Sequence, residues 1–167
     1  MKKQTERAVV LGDLHIPFWD LRAVKLVMKF LEWFKPDVIF LNGDITDCWE
    51  ISKFIRPVSI KERLEDEIQT AVKFLRQIRR QHTRADIIYI FGNHEYRFER
   101  FIAVNARELG GLKGLTLEEQ LCLKELNIKA INSHQRENFY RYGKLLIAHF
   151  NKVNKHAGYT AKNLVEE

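Results

Sequence analysis

The sequence predicts one α/β domain organised around parallel strands. Three observations carry that expectation: short apolar runs rich in β-branched residues, stretches of helical period lying between them, and enough apolar residues for a core. The runs are Ala8-Val-Val-Leu11, Val38-Ile-Phe-Leu41, Ile87-Ile-Tyr-Ile-Phe91 and Leu145-Leu-Ile-Ala148. Each is brief and apolar throughout, as a buried strand is. Between the first two, Leu21, Val24, Met28, Leu31 and Phe34 recur at helical steps after Asp20, a good N-cap, and Pro36 ends the stripe. Between the second and third, Leu64, Ile68, Ala71, Val72, Leu75 and Ile78 repeat the pattern from about Lys61 to Arg80. Right-handed crossovers make the first three strands parallel neighbours in one sheet.

After Phe91 the chain reads as helix over Tyr96 to Glu108, with Phe98, Phe101, Ile102 and Asn105 on one side, until Gly110, Gly111 and Gly114 interrupt it. Thr116-Leu-Glu-Glu119 is a capping box that opens a short helix through Leu123. A strand-like piece, Ile128 to Ile131, follows. Phe139-Tyr-Arg-Tyr142, a turn at Gly143 and the fourth apolar run then suggest a hairpin. With no internal repeat and no linker, residues 1–167 read as one domain.

Composition narrows the function classes. With 46% apolar residues the chain is not disordered, and with 30% charged residues and no long apolar stretch it is not expected to be an integral membrane protein. Cys48 and Cys122 form no Cys-x-x-Cys pair and no export signal precedes Ala8, so a reducing cytoplasm is the expected compartment. The net charge of +6 makes phosphate esters, nucleotides or nucleic acid admissible partners by long-range attraction. Yet Arg76, Arg79, Arg80 and Arg84, like Lys144, Lys152, Lys155 and Lys162, have the spacing of solvated faces rather than of a nucleic-acid surface. Trp19, Trp49, Tyr96 and Phe98 either line a base-stacking entrance or belong to the core, and their places beside apolar runs favour the core.

Each apolar run ends in residues able to hold a metal: Gly12-Asp13-Leu14-His15, Asn42-Gly43-Asp44-Ile45-Thr46-Asp47, Gly92-Asn93-His94-Glu95, and His149. Singly, each has an ordinary reading. Asp13-x-His15 suits a chelate or an Asx turn, Gly43-Asp44 a turn, Asp47 and Asn93 helix caps, and His149 a satisfied histidine at a strand end. Together they gain weight, because ligands of open α/β sheets bind beyond the carboxyl ends of the strands. Gly12, Gly43 and Gly92 each precede a candidate ligand, where a tight turn lets backbone approach an ion or phosphate. Mixed carboxylate, imidazole and amide donors suit a two-metal site of Mn, Fe, Zn or Ni, not a calcium cage or a thiolate zinc site.

These blocks resemble the calcineurin-like metallophosphoesterase superfamily, whose ordered motifs are Asp-x-His, Gly-Asp-x-x-Asp, Gly-Asn-His-Glu/Asp and a later His. Asp13-Leu-His15, Gly43-Asp44-Ile-Thr-Asp47, Gly92-Asn93-His94-Glu95 and His149 match in order. The resemblance implies a four-layer α/β/β/α sandwich and hydrolysis of phosphomonoesters or phosphodiesters by a metal-bound hydroxide. It further implies that Asp13 and His15 hold one divalent ion, that Asp44 bridges, and that Asn93 and His149 hold a second. His94 would stand beside the scissile phosphate, with Asp47 orienting it from behind. Glu95 and Arg97, in the same loop, would brace it by ion pairing rather than touch substrate.

Two departures from the family pattern shape the expectation. Phe150 follows His149 where the family usually has Gly, a bulkier neighbour at the substrate entrance. The family's closing Gly-His-x-His block is absent, which implies a fold lacking its last strands, weaker metal affinity and impaired activity. An alternative follows: a truncated remnant that binds metal or phosphate without turnover. An unpaired sheet edge would also invite a homodimer. His156, within Asn154 to Lys162, reads as a surface histidine of a helix rather than a replacement ligand.

Overall fold

A computed structural model of the chain describes residues 6–55, 59, 61–132, 138–150, 156, 159 and 162. Four parallel strands form the first sheet in the order β1 (Ala8–Leu11), β2 (Val38–Asn42), β3 (Asp86–Ile90) and β4 (Ile128–Ile131). The inner strands are apolar on both faces because both faces are covered, and Ile39, Phe40, Leu41, Tyr89 and Ile90 are fully buried. The outer strands are partly exposed, with Val10 of β1 at 52%.

Helices α1 (Leu21–Phe34) and α2 (Leu64–Gln81) cover one face. As the sequence predicts, the Asp20 carboxylate accepts from the Arg22 and Ala23 amides to cap α1, and the helix ends at Lys35 with φ 49° just before Pro36. Helix α2 begins at Leu64 rather than Lys61, with Glu65, Asp66 and Glu67 in its first turn and Arg79 and Arg80 in its last, charges that match the helix dipole. Met28, Leu31, Ile68, Leu75 and Ile78 pack onto Ile39, Leu41, Ile87 and Tyr89 in the main core. Arg79 donates to the carbonyls of His82, Ala85, Leu126 and Asn127, tying the end of α2 to the chain entering β3 and β4.

Helix α3 (Tyr96–Asn105) is shorter than its apolar pattern predicts: Ala106 leaves helical geometry and Arg107–Leu109 forms a separate 3-10 turn. The capping box opens α4 (Leu117–Gln120), where the Glu119 amide donates to Thr116 Oγ1 at 3.2 Å and that hydroxyl donates to the Glu119 carboxylate at 2.9 Å.

Strands β5 (Asn138–Tyr142) and β6 (Leu145–His149) form an antiparallel second sheet. The hairpin suggested by the sequence is present, and it puts the fourth apolar run in a separate sheet from the other three. Tyr142 pairs with Leu145 across a tight turn at Gly143, φ 58°, so the chain folds straight back, whereas a parallel strand needs a long crossover. The fourth parallel position belongs to β4. Ile147, Tyr140 and Tyr142 of the hairpin pack on Val38, Phe40, Ile88 and Ile90, the face of the first sheet turned away from the helices. Three layers, α/β/β, are thus present among the described residues. The helix expected over Asn154 to Lys162 lies outside them, apart from His156, Tyr159 and Lys162.

Candidate functional site

The loops after β1, β2 and β3 leave the first sheet on one side, and β6 brings His149 to the same place from the opposite sheet. Close approach there depends on two glycines. A Cβ on Gly43, whose φ is +73°, would lie 2.4 Å from His149 Cγ, and one on Gly92 would lie 2.3 Å from Asp44 Oδ1. Asp13, His15 and Asp44 themselves have φ near +50°, a strained conformation for residues with side chains, held by surrounding bonds. The amides of Asp13 and His15 donate to the carbonyls of Gly43 and Asp44 at 3.1 and 2.9 Å.

Three imidazoles converge on one carboxylate oxygen. Asp44 Oδ2 lies 3.4 Å from His149 Nε2, 3.7 Å from His94 Nε2 and 4.0 Å from His15 Nε2. Each ring is held by its other nitrogen: His15 Nδ1 by the Asp47 carboxylate at 3.0 Å, His94 Nδ1 by the Asp47 carbonyl at 3.1 Å, and His149 Nδ1 by the Asn42 carbonyl at 3.0 Å. Fixing one ring nitrogen on an acceptor aims the other, as in metal-binding histidines. Asn93 Oδ1 lies 3.2 Å from His149 Nε2, beside these donors.

The ionisation of the cluster follows from these contacts. The hydrogen bond to Asp47 raises the pKa of His15 against the opposing effect of burial. That to Asp44 pushes His149 up to about 9. Burial opposes ionisation of Asp47, but hydrogen bonds from His15 and His94 and the charge of Arg97 hold it well below the usual carboxylate range. Asp44 is likewise lowered: its burial is outweighed by bonds from His149 and the His94 amide.

Ligand atoms of Asp13, Asp44 and His149 lie within 4.8 Å of one another, and so do those of His15, Asp44 and His94, with Asp44 common to both groups. The residue types and spacing fit divalent cations. Asp13 falls in the group of His149, and His94 in that of His15. Asp13, Asn42, Asp44, Asn93, Ala148, His149 and Phe150 line an open cavity of about 430 Å³.

Glu95 braces the site, but the expectation of an ion pair is corrected. Its fully buried carboxylate accepts from the amides of Asp44 at 2.9 Å, Ile45 at 2.8 Å, Thr46 at 3.1 Å and Gly92 at 2.8 Å, and from the hydroxyls of Thr46 and Tyr89. The loop turns its N–H groups inward, and a carboxylate between them satisfies several donors at once. Burial and neighbouring Glu95 push the Tyr89 hydroxyl well above its ordinary range, so it stays a donor. Arg97 does form its expected ion pair, with Asp47 at 3.2 Å, and its Nη2 also reaches His94 Nε2 at 2.9 Å.

Glu67 was not foreseen. It is 2% exposed in the first turn of α2 and accepts from the Cys48 amide at 2.6 Å. A signal existed: Glu67 lies three residues after Leu64 and four before Ala71, on the apolar stripe. Trp19 packs edge-on against Phe74 and Phe98 is buried, as expected of core residues, while Tyr96 is half exposed. Cys48 and Cys122 are both free. Among the described residues no helix is long and apolar enough to cross a membrane.

The C-terminal loops of the parallel strands thus carry an aspartate shared between two histidine-bearing groups of potential metal ligands. The calcineurin-like phosphoesterase family model matches residues 6–165, and the chain belongs to that family. Membership implies metal-dependent phosphoester hydrolysis. No curated protein matches the chain.

Proposed function

We propose that this protein hydrolyses phosphomonoesters or phosphodiesters at a centre holding two divalent ions. The observation that carries the reading is the convergence of three Nε2 atoms on Asp44 Oδ2, which makes Asp44 the natural bridge. Asp13 and His15 would hold one ion, and Asn93 and His149 the other. Bound there, the ions would supply Lewis acidity toward phosphate oxygens and a water of lowered pKa.

The protein's own groups do the rest. His94 would meet the phosphate through its Nε2 edge and, with the ring doubly protonated and Arg97 donating to the phosphate instead, supply a hydrogen bond or proton to the departing oxygen. Asp47 holds His15 and His94 in register. Arg97, whose guanidinium reaches the same ring edge, adds positive charge where the anion would sit. Phe150, which lines the cavity, would limit the bulk of the ester group. The free thiols fit the cytoplasm as its compartment.

The test is hydrolysis of an aryl phosphodiester by protein loaded in turn with Mn, Fe, Zn and Ni, with and without chelator, beside Asp44→Asn and His94→Ala. Turnover abolished by chelator and by Asp44→Asn, and reduced at least ~100-fold by His94→Ala, is expected. Bound metal with no turnover for any ion would instead establish a metal-binding protein without this activity.

A further inference from the structure

The peptide unit between Asp47 and Cys48 is bonded at both ends. Its N–H, contributed by Cys48, donates to Glu67 Oε1 at 2.6 Å. Its carbonyl, contributed by Asp47, accepts from Arg97 Nη1 at 2.9 Å and faces His94 Nδ1 at 3.1 Å. Both lone pairs of that oxygen are therefore engaged. Arg97 Nη2 can only donate, so the His94 Nε2 it meets at 2.9 Å is an acceptor and the proton of the neutral ring lies on Nδ1, aimed at the carbonyl.

A carboxylate on the N–H of a peptide draws its proton and enriches its carbonyl oxygen, because consecutive hydrogen bonds polarise one another. The backbone also needs holding here. Cys48 has φ 52°, a left-handed conformation costly for a side-chain-bearing residue, and Asp44 at the other end of the loop has φ 50°. Glu95 anchors the amides of residues 44–46, and Glu67 anchors that of Cys48, with the Asp47 and Trp49 amides beside it.

We propose that Glu67 is a positioning residue for His94, acting through the Asp47–Cys48 peptide to fix the orientation and tautomer of the imidazole. Its role in turnover rests on the phosphoesterase reading; the bond relay itself does not. Glu67 touches neither substrate nor reacting atoms. It reaches His94 from the opposite side of the loop, one peptide unit away.

The experiment uses the full chain loaded with zinc, which is diamagnetic, and follows the His94 ring nitrogens and the Nδ1 proton by long-range proton–nitrogen correlation. In Glu67→Ala the Nδ1 proton resonance is expected to shift or be lost to solvent exchange, and kcat to fall about tenfold with KM changed less than about twofold, as for other residues that orient a site group indirectly. Glu67→Gln retains an acceptor oxygen at the Cys48 amide, keeps the fold if the alanine variant does not, and should restore kcat to within about threefold of the parent while still shifting the resonance, because a neutral acceptor polarises the peptide less. Phe74→Leu, a core change remote from the relay, should lower stability and leave the resonance in place. An unmoved His94 resonance in folded Glu67→Ala or Glu67→Gln overturns the relay, as does an equal shift in Phe74→Leu. A shifted resonance with unchanged kcat overturns the role in turnover. If the parent hydrolyses no ester with any ion, the phosphoesterase reading fails, while the resonances still decide the relay.

Discussion

Around Asp47, the functional side chains are clasped by other buried groups of the first sheet and its helices, whereas around His149 they rest on a two-stranded hairpin. Asp47 binds His15, His94 and Arg97, and the backbone beside it is anchored by Glu95 and Glu67. The hairpin packs inward through Ile147, Tyr140 and Tyr142, while on its outer face Phe139 and Leu146 are 62% and 55% exposed. The first half is packed within the main core; the second depends on the packing of the hairpin. Local opening should therefore require less free energy at His149 than at Asp47.

The sharpest way to break the contrast is to remove the clasp. Glu95→Ala leaves four buried amides and the Tyr89 hydroxyl without their acceptor, a loss of at least ~5 kcal/mol at ~1–3 kcal/mol per group. The folded yield should collapse, and Glu95→Gln, which keeps an acceptor oxygen, should fold with a lowered urea midpoint. A Glu95→Ala protein as stable as the parent would show that the loop is held by something else.

Next in size is the response to pH. Burial, reinforced by the charge of Asp47 and opposed by the Cys48 amide, pushes Glu67 up to about 7 from an ordinary 4.5. The folded state then keeps a proton that the unfolded chain releases. Its contribution is full below pH 4.5 and is lost as pH rises through about 7, a decline on the order of 3 kcal/mol. Urea midpoints of the parent minus those of Glu67→Gln should fall across that window, and a flat difference would count against the assignment. Both forms of Glu67 can accept from the Cys48 amide, so the loop anchor persists across the window while its polarising strength grows as the carboxylate ionises.

The smallest effect sharpens the comparison from the other half. Ile147→Ala should cost about 2 kcal/mol and accelerate amide exchange in β5 and β6 while β2 and β3 stay protected. Equal acceleration in both sheets would mean that the hairpin and the first sheet open as one unit.

The elements of the first sheet were legible because local pattern and burial agree: apolar runs gave β1, β2 and β3, and Asp20 and Thr116 marked helix starts. The polar blocks at the strand ends also pointed to a common cluster. Less legible was how His149 arrives there, since a strand's residues do not name the sheet it joins; Gly143 held the clue. The purpose of Glu95 was hidden for a different reason. An acid next to an arginine suggests an ion pair, and only the fold reveals that the amides of Asp44, Ile45 and Thr46 face it. Glu67 stood in view on an apolar stripe, but the peptide it bonds comes from 19 residues away.

The ring of His149 occupies the space a side chain at residue 43 would need. One missing carbon therefore gauges how near the hairpin can come to the strand beneath it. A library selected only for folded protein could admit alanine there by letting the hairpin ride outward, while one selected for turnover should return glycine. Comparing the two selections would measure how much of that fit belongs to architecture and how much to chemistry.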